Sequence, residues 1–88
     1  VQQALAARYA QEPFIRVFAM GDAAAQDEGA WDVQACNDTN RVDIAVFVDP
    51  TGQQAMLMAR LDNLGKGASG AAVQCMNVHL GVDEGLGL

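Results

Sequence analysis

Residues 62–77, reading DNLGKGASGAAVQCMN, constrain the fold more than any other part of the chain. An apolar run ends there in a turn built on Gly65 and Gly67. A helix follows whose first two turns, through Ser69, Gly70, Ala71 and Ala72, carry almost no side chain. Each interior glycine costs a helix about 1 kcal/mol relative to alanine, so the pattern implies that another backbone or a ligand comes very close to that turn. Gly65, Gly67 and Gly70 also satisfy G-x-G-x-x-G between an apolar run and a helix, the local context of a dinucleotide-binding loop. The wider context does not fit. Such a unit requires a second parallel strand after the helix and an acidic residue about 20 positions further on, whereas only Asp83 and Glu84 precede Leu88. A self-contained dinucleotide domain is therefore not expected.

Residues 1–11 place Leu5, Ala6 and Tyr9 at helical spacing, and Pro13 then disfavours the α conformation at Glu12. Residues 14–18 read as a short strand with Arg16 at a wet edge. Residues 19–29 show no sustained period and read as a surface loop, and residues 31–36 read as a further strand. Residues 41–48 form a clearer one, with Val42, Ile44, Val46 and Val48 on one face and Asp43, Ala45 and Phe47 on the other. Asp49-Pro50-Thr51-Gly52 is a turn that makes an antiparallel hairpin with residues 54–61. That return strand is almost continuously apolar, which predicts burial on both faces. The final helix is expected over 66–80, with Gly81 as a left-handed cap. The elements describe an α+β fold, a mixed or antiparallel sheet with flanking helices, in one unit spanning 1–88.

Hydrophobic residues make up 51 % of the chain but aromatics only 6 %, so the core must be built from Ala, Val, Leu and Met. A unit of this length buries only about 60 to 65 % of its unfolded surface, and a partner surface is expected. A net charge of −6 with five Lys and Arg argues against nucleic acid, whose phosphates require clustered cations, and against acidic membranes. No apolar run approaches the roughly 18 residues of a spanning helix. Cys36, Cys75 and the single His79 lack metal-ligand spacing, so no metal site is expected, and a reduced cytoplasmic setting is the simplest reading.

Several segments together resemble one family. Asp62-Asn63-Leu64-x-Lys66-Gly67-Ala68-x-Gly70-x-Ala72-Val73-Gln74-x-Met76-Asn77 is similar to the C-terminal signature of N-acetyl-gamma-glutamyl-phosphate reductases, NADP-dependent enzymes of arginine biosynthesis. Tyr9-x-x-Glu12-Pro13-Phe14-x-x-Val17, Thr39-Asn40-Arg41-Val42-Asp43-Ile44 and Gly81-x-x-Glu84-x-x-Gly87-Leu88 resemble that family's other segments in order. Departures are Ser69 and Val42, where Ala and Cys are commoner, and Ala71, where Gln is commoner. The resemblance implies the C-terminal part of a glyceraldehyde-3-phosphate-dehydrogenase-like catalytic and dimerisation domain. It also implies a homo-oligomer and a nucleotide-binding domain N-terminal to this segment. In such enzymes a cysteine forms a thioester from the acyl phosphate and NADPH delivers hydride to give the semialdehyde. The family's Asn-Pro-Gly-Cys-Tyr nucleophile motif, its base histidine and its NADP glycine loop have no match here. The start at Val1 fits a trimmed piece, and the 88 residues alone are expected to be inactive. An aspartate-semialdehyde dehydrogenase segment and a non-catalytic oligomerisation domain are the alternative readings.

The resemblance implies a cofactor contact at Asn63, whose amide can both donate to and accept from a nicotinamide carboxamide; the competing role is closure of the turn. Lys66 is a candidate point charge for a phosphate or a solvated lysine at a helix start. Gly67 and Gly70 provide clearance for a cofactor or for helix packing. Asp62 is expected to order the turn, and Cys75 and Cys36 to be small buried hydrophobes. Arg16 and Arg41 are the cations suited to an acyl phosphate or its carboxylate, with surface ion pairing as the favoured competitor.

Overall fold

A computed structural model describes residues 1–21 and 31–88. Most of the loop expected over 19–29 lies outside the described residues. Helix α1, Gln2–Tyr9, is built from good helix formers and ends ahead of Pro13. Gln2 Nε2 donates to the carbonyl of Phe18 at 3.0 Å, which ties the start of α1 to the end of strand β1, Ile15–Val17. Strand β2, Val42–Val48, lies parallel to β1 and antiparallel to β3, Ala55–Leu61, in the order β1-β2-β3. Between β2 and β3 the carbonyl of Asp49 accepts from Gly52 N at 3.0 Å, and Gly52 sits at φ +72° as the turn requires.

The centre of the sheet is polar. Arg16, Asp43 and Arg60 pair in one rung across all three strands, and the Asp43 side chain has 0 % exposure. Its two oxygens accept four hydrogen bonds: a fork from Arg16 Nε and Nη2 at 3.2 and 2.9 Å, one from Arg41 Nε at 2.8 Å and one from Arg60 Nε at 3.0 Å. The ion pairing favoured for Arg16 and Arg41 is present, but its partner is a carboxylate buried in the sheet and not one at the surface. Burial alone would raise the Asp43 pKa, but the hydrogen bonds from Arg16, Arg41 and Arg60 hold it at about 2, below the ordinary 3.8. The same guanidiniums lie over aromatic rings, Arg16 over Phe18 at 4.4 Å and Arg60 over Trp31 at 4.3 Å. Phe18 and Ala45 form the buried core beside them, with Trp31 and Phe47 packed against it.

Two expectations require correction. Residues 31–36 are a chain of tight turns and not a strand. Asp32 Oδ1 captures the N–H of Gln34 at 2.9 Å, a local bond that competes with a sheet ladder. The segment's carbonyls are turned to the arginines as well: Asp32 O accepts from Arg60 Nη1 at 3.1 Å and Ala35 O from Arg41 Nη2 at 3.3 Å. Strand β3, expected to be buried on both faces, is an edge strand with Met56 60 % and Leu57 55 % exposed.

The arginine cluster predicts an acid-sensitive stability. Because the folded pKa of Asp43 is depressed, its contribution is fully present above the ordinary 3.8 and is lost as pH falls through about 2. Asp43→Asn should lower stability at neutral pH by about 3 kcal/mol, leaving buried guanidinium uncompensated. The gap in melting temperature between variant and wild type should close between those two pH values. A gap that stays constant through that window shows that Asp43 is not the titrating anchor.

Candidate functional site

The site lies where β3 passes into the final helix, and Asp62 shapes it. Its Oδ1 accepts from Leu64 N at 2.9 Å and its Oδ2 from Asp38 N at 2.8 Å, and the backbone bonds from Asp38 and Leu64 hold its carboxyl below the usual range. Asp62 thus orders the turn, and Asp38, at φ +61°, is held against it. Helical winding begins at Gly65 as a wide π turn, Gly65–Ser69, and continues as α2, Gly70–Leu80. Gly81, at φ +72°, caps α2 by donating to Asn77 O and Val78 O.

The close approach implied by the small residues is to Asn40 from the turn ahead of β2. A Cβ on Gly70 would collide with Asn40 Oδ1 and lie 2.8 Å from the carbonyl of Gly65. Gly70 is buried and its missing side chain makes room for Asn40. A Cβ on Gly65 would meet the carbonyl of Thr39 at 2.9 Å. Asn40 Oδ1 is buried with no hydrogen-bond partner among the described residues, which leaves the α-carbon of Gly70 as its neighbour. An open cleft of about 420 Å³ runs between these two turns, lined by Asn40, Asp62, Gly65 and Gly70 among others.

Asn63, Gly67 and Lys66 occupy the outer side of the same turn. Asn63 and Gly67 are exposed, and a Cβ on Gly67 would approach Asn63 Oδ1 to 3.2 Å. Lys66 turns back along the helix, its Nζ donating to Gln74 Oε1 at 2.6 Å. The same oxygen accepts from Asn40 Nδ2 at 2.9 Å, and Gln74 Nε2 donates to Glu84 Oε2 at 2.8 Å. Buried Asn77 donates to the carbonyls of Glu84 and Leu86 at 3.1 and 2.9 Å, which folds the C-terminal tail onto α2. Asn40, Gln74, Asn77 and Glu84 are not singled out as site residues by sequence pattern. The available signal is that each is a polar residue inside a segment carrying the family resemblance.

The remaining candidates fall elsewhere. Cys75, expected to be buried, is exposed, while Cys36 is buried. The difference follows from α2, whose apolar residues Met76, Val78 and Leu80 are exposed as well. Cys75 and His79 line one groove with Lys66 and Gln74. Among the described residues no group of His, Cys, Asp and Glu is arranged to hold a metal ion, and no helix is long and apolar enough to cross a membrane.

A family model described as the dimerisation domain of semialdehyde dehydrogenases matches residues 1–63. The chain is 47 % identical over 89 aligned positions to the N-acetyl-gamma-glutamyl-phosphate reductase of Trichormus variabilis, covering 100 % of this chain and 28 % of that protein. It is 47 % identical over 77 positions to the reductase of the same name from Burkholderia cenocepacia, 88 % of this chain and 24 % of the other. For the one from Corynebacterium aurimucosum the values are 42 % over 88 positions, 100 % of this chain and 23 % of the relative. The chain spans about a quarter of the length of the curated relatives it matches.

The packing at Gly70 is directly testable. Gly70→Ala should cost about 1–3 kcal/mol through overpacking against Asn40 and the Gly65 carbonyl. In a double-mutant cycle, Asn40→Ala should recover part of that loss. Full additivity of the two changes means that Asn40 is not what excludes a side chain at Gly70.

Proposed function

The chain belongs to the semialdehyde dehydrogenase dimerisation-domain family, and from that membership we propose that it is the C-terminal segment of an NADP-dependent N-acetyl-gamma-glutamyl-phosphate reductase acting in the cytoplasm. The observation that carries the reading is the turn from Asn63 to Gly67, with Asn63, Leu64 and Gly67 exposed, leading directly into a helix whose Met76, Val78 and Leu80 are uncovered. Apolar surface of this extent is what a docking helix requires, and the occupant proposed is the nucleotide-binding domain of the same enzyme. Strand β3, apolar on both exposed faces, suits the second copy of a homo-oligomer.

The residues of the turn fit a nicotinamide cofactor in part. Asn63 would hold the carboxamide, since its amide can donate and accept at once, and the exposed Gly67 leaves the approach clear. Lys66 brings a point charge suited to a phosphate. Gly70 serves packing with Asn40 and is left out of the contact set. The bound cofactor supplies hydride for reduction of the acyl phosphate to the semialdehyde. This segment supplies one wall of the site, and the nucleophile and base come from outside it.

The test is turnover. The complete enzyme should oxidise NADPH in the presence of N-acetyl-gamma-glutamyl phosphate, and the 88 residues alone should not. Asn63→Ala in the complete enzyme should lower kcat/KM by about ten- to hundredfold, roughly 1.4 to 2.7 kcal/mol, with stability changed by under about 1 kcal/mol. Unchanged kcat/KM with a collapsed melting temperature makes Asn63 a turn-closing residue. Turnover by this segment alone, lost on alkylating Cys36 or Cys75, overturns the fragment reading.

A further inference from the structure

Gln74 sits between an acceptor and two donors, and the charged group at each end, the Glu84 carboxylate and the Lys66 ammonium, fixes which way its amide faces. An ionised carboxylate only accepts hydrogen bonds, so Glu84 requires the Nε2 end, which it receives at 2.8 Å. Gln74 Oε1 is thereby turned to Lys66 Nζ at 2.6 Å and Asn40 Nδ2 at 2.9 Å. The reversed amide would aim N–H groups at an ammonium and at the Asn40 amide while presenting oxygen to a carboxylate. All three contacts would fail together. Glu84 is itself held, because Asn77 from within α2 binds its carbonyl at 3.1 Å.

We propose that the Glu84–Gln74 pair is a positioning device for Lys66. It holds the ammonium at the root of the exposed turn, 6.0 Å from the centre of the Phe14 ring, where it contacts a phosphate. The inference rests on the reading of Lys66 as an anion contact. An ammonium carries three donors, and among the described residues one of them is used, by Gln74. The other two remain for phosphate oxygens. A free lysine loses up to about 2 kcal/mol of rotamer freedom when fixed on a ligand; a lysine already held by Gln74 loses less. The shared chemistry is a phosphate, which comes either from the cofactor or from the acyl phosphate. KM for NADPH and KM for the acyl phosphate, measured separately, distinguish the two sources.

The experiment uses the complete enzyme and four variants: Lys66→Met, Gln74→Leu, Glu84→Leu, and the exchange that combines Gln74→Glu with Glu84→Gln. Lys66→Met should raise one of the two KM values about tenfold, the loss expected for one charge-assisted hydrogen bond. Gln74→Leu and Glu84→Leu, which leave no acceptor or donor for the pair, should each raise the same KM several-fold while kcat stays within about twofold. The exchange restores every bond: a carboxylate at position 74 accepts from Lys66 and Asn40, and an amide at position 84 donates to that carboxylate. Its KM should return to within about twofold of wild type. If Lys66→Met leaves both KM values unchanged, the anion-contact reading falls. If Lys66→Met raises KM but the single Gln74 and Glu84 variants do not, or the exchange fails to restore it while the melting temperature is normal, the positioning role is wrong and the anion contact stands.

Discussion

One carboxylate organises this fold. Asp43 stands in the middle strand with an arginine beside it on each neighbouring strand and a third from the residue preceding β2. Three positive charges around one negative charge can be packed in a sheet only because every oxygen site of the carboxylate is used and two carbonyls of residues 32–35 accept further guanidinium N–H groups. The arrangement sets the register of three strands and lays the turn segment over the arginines. Phe18 and Trp31 then pack on the guanidinium faces. With few aromatics and little buried apolar area, a polar network that demands complete satisfaction specifies the structure where a larger hydrophobic core would otherwise do so.

From that sheet the chain extends into elements that leave apolar side chains exposed. The register brings β3 to an edge with apolar side chains on both faces, and β3 delivers Asp62 to the point where it orders the Asn63 turn. Beyond the turn, the Asn40–Gln74 hydrogen bond ties α2 to the segment ahead of β2 and so links the turn to the strand that carries Asp43. The outer surface of α2 has no comparable partner among the described residues. A fixed turn together with an uncovered apolar helix has the form of a docking element, and this supports the proposed reading of the chain as one wall of a larger enzyme.

The sequence disclosed the elements with strong local signals. The alternation of Val42 to Val48, the Asp49 to Gly52 turn and the Gly81 cap depend on periodicity and on backbone freedom, both visible in a single chain. Residues 31–36 misled because Trp31, Val33 and Ala35 have a strand's alternation, while the forces that bend them, Arg60 and Arg41 drawing in their carbonyls, come from distant positions. Burial of β3 and Cys75 misled for a different reason. Apolar composition predicts burial only if something covers it, and among the described residues nothing covers Met56, Leu57 or Cys75. The close approach implied by the small residues was legible, but its partner, Asn40, lies 30 positions from Gly70, and no local pattern links the two. The roles of Arg16 and Arg41 depended on Asp43, whose burial no alternation pattern announces.

We propose that α2 and β3 are surfaces completed by the rest of an enzyme. Amide hydrogen exchange measured on the complete protein and on the 88-residue chain tests it most directly, because exchange reports the local stability of each element. The account predicts that β2 and the Asn40 to Gln74 junction keep similar relative protection in both samples. Amides of α2 and β3 should be at least about tenfold better protected in the complete protein, roughly 1.4 kcal/mol of added local stability. Equal protection of α2 and β3 in the two samples would contradict it.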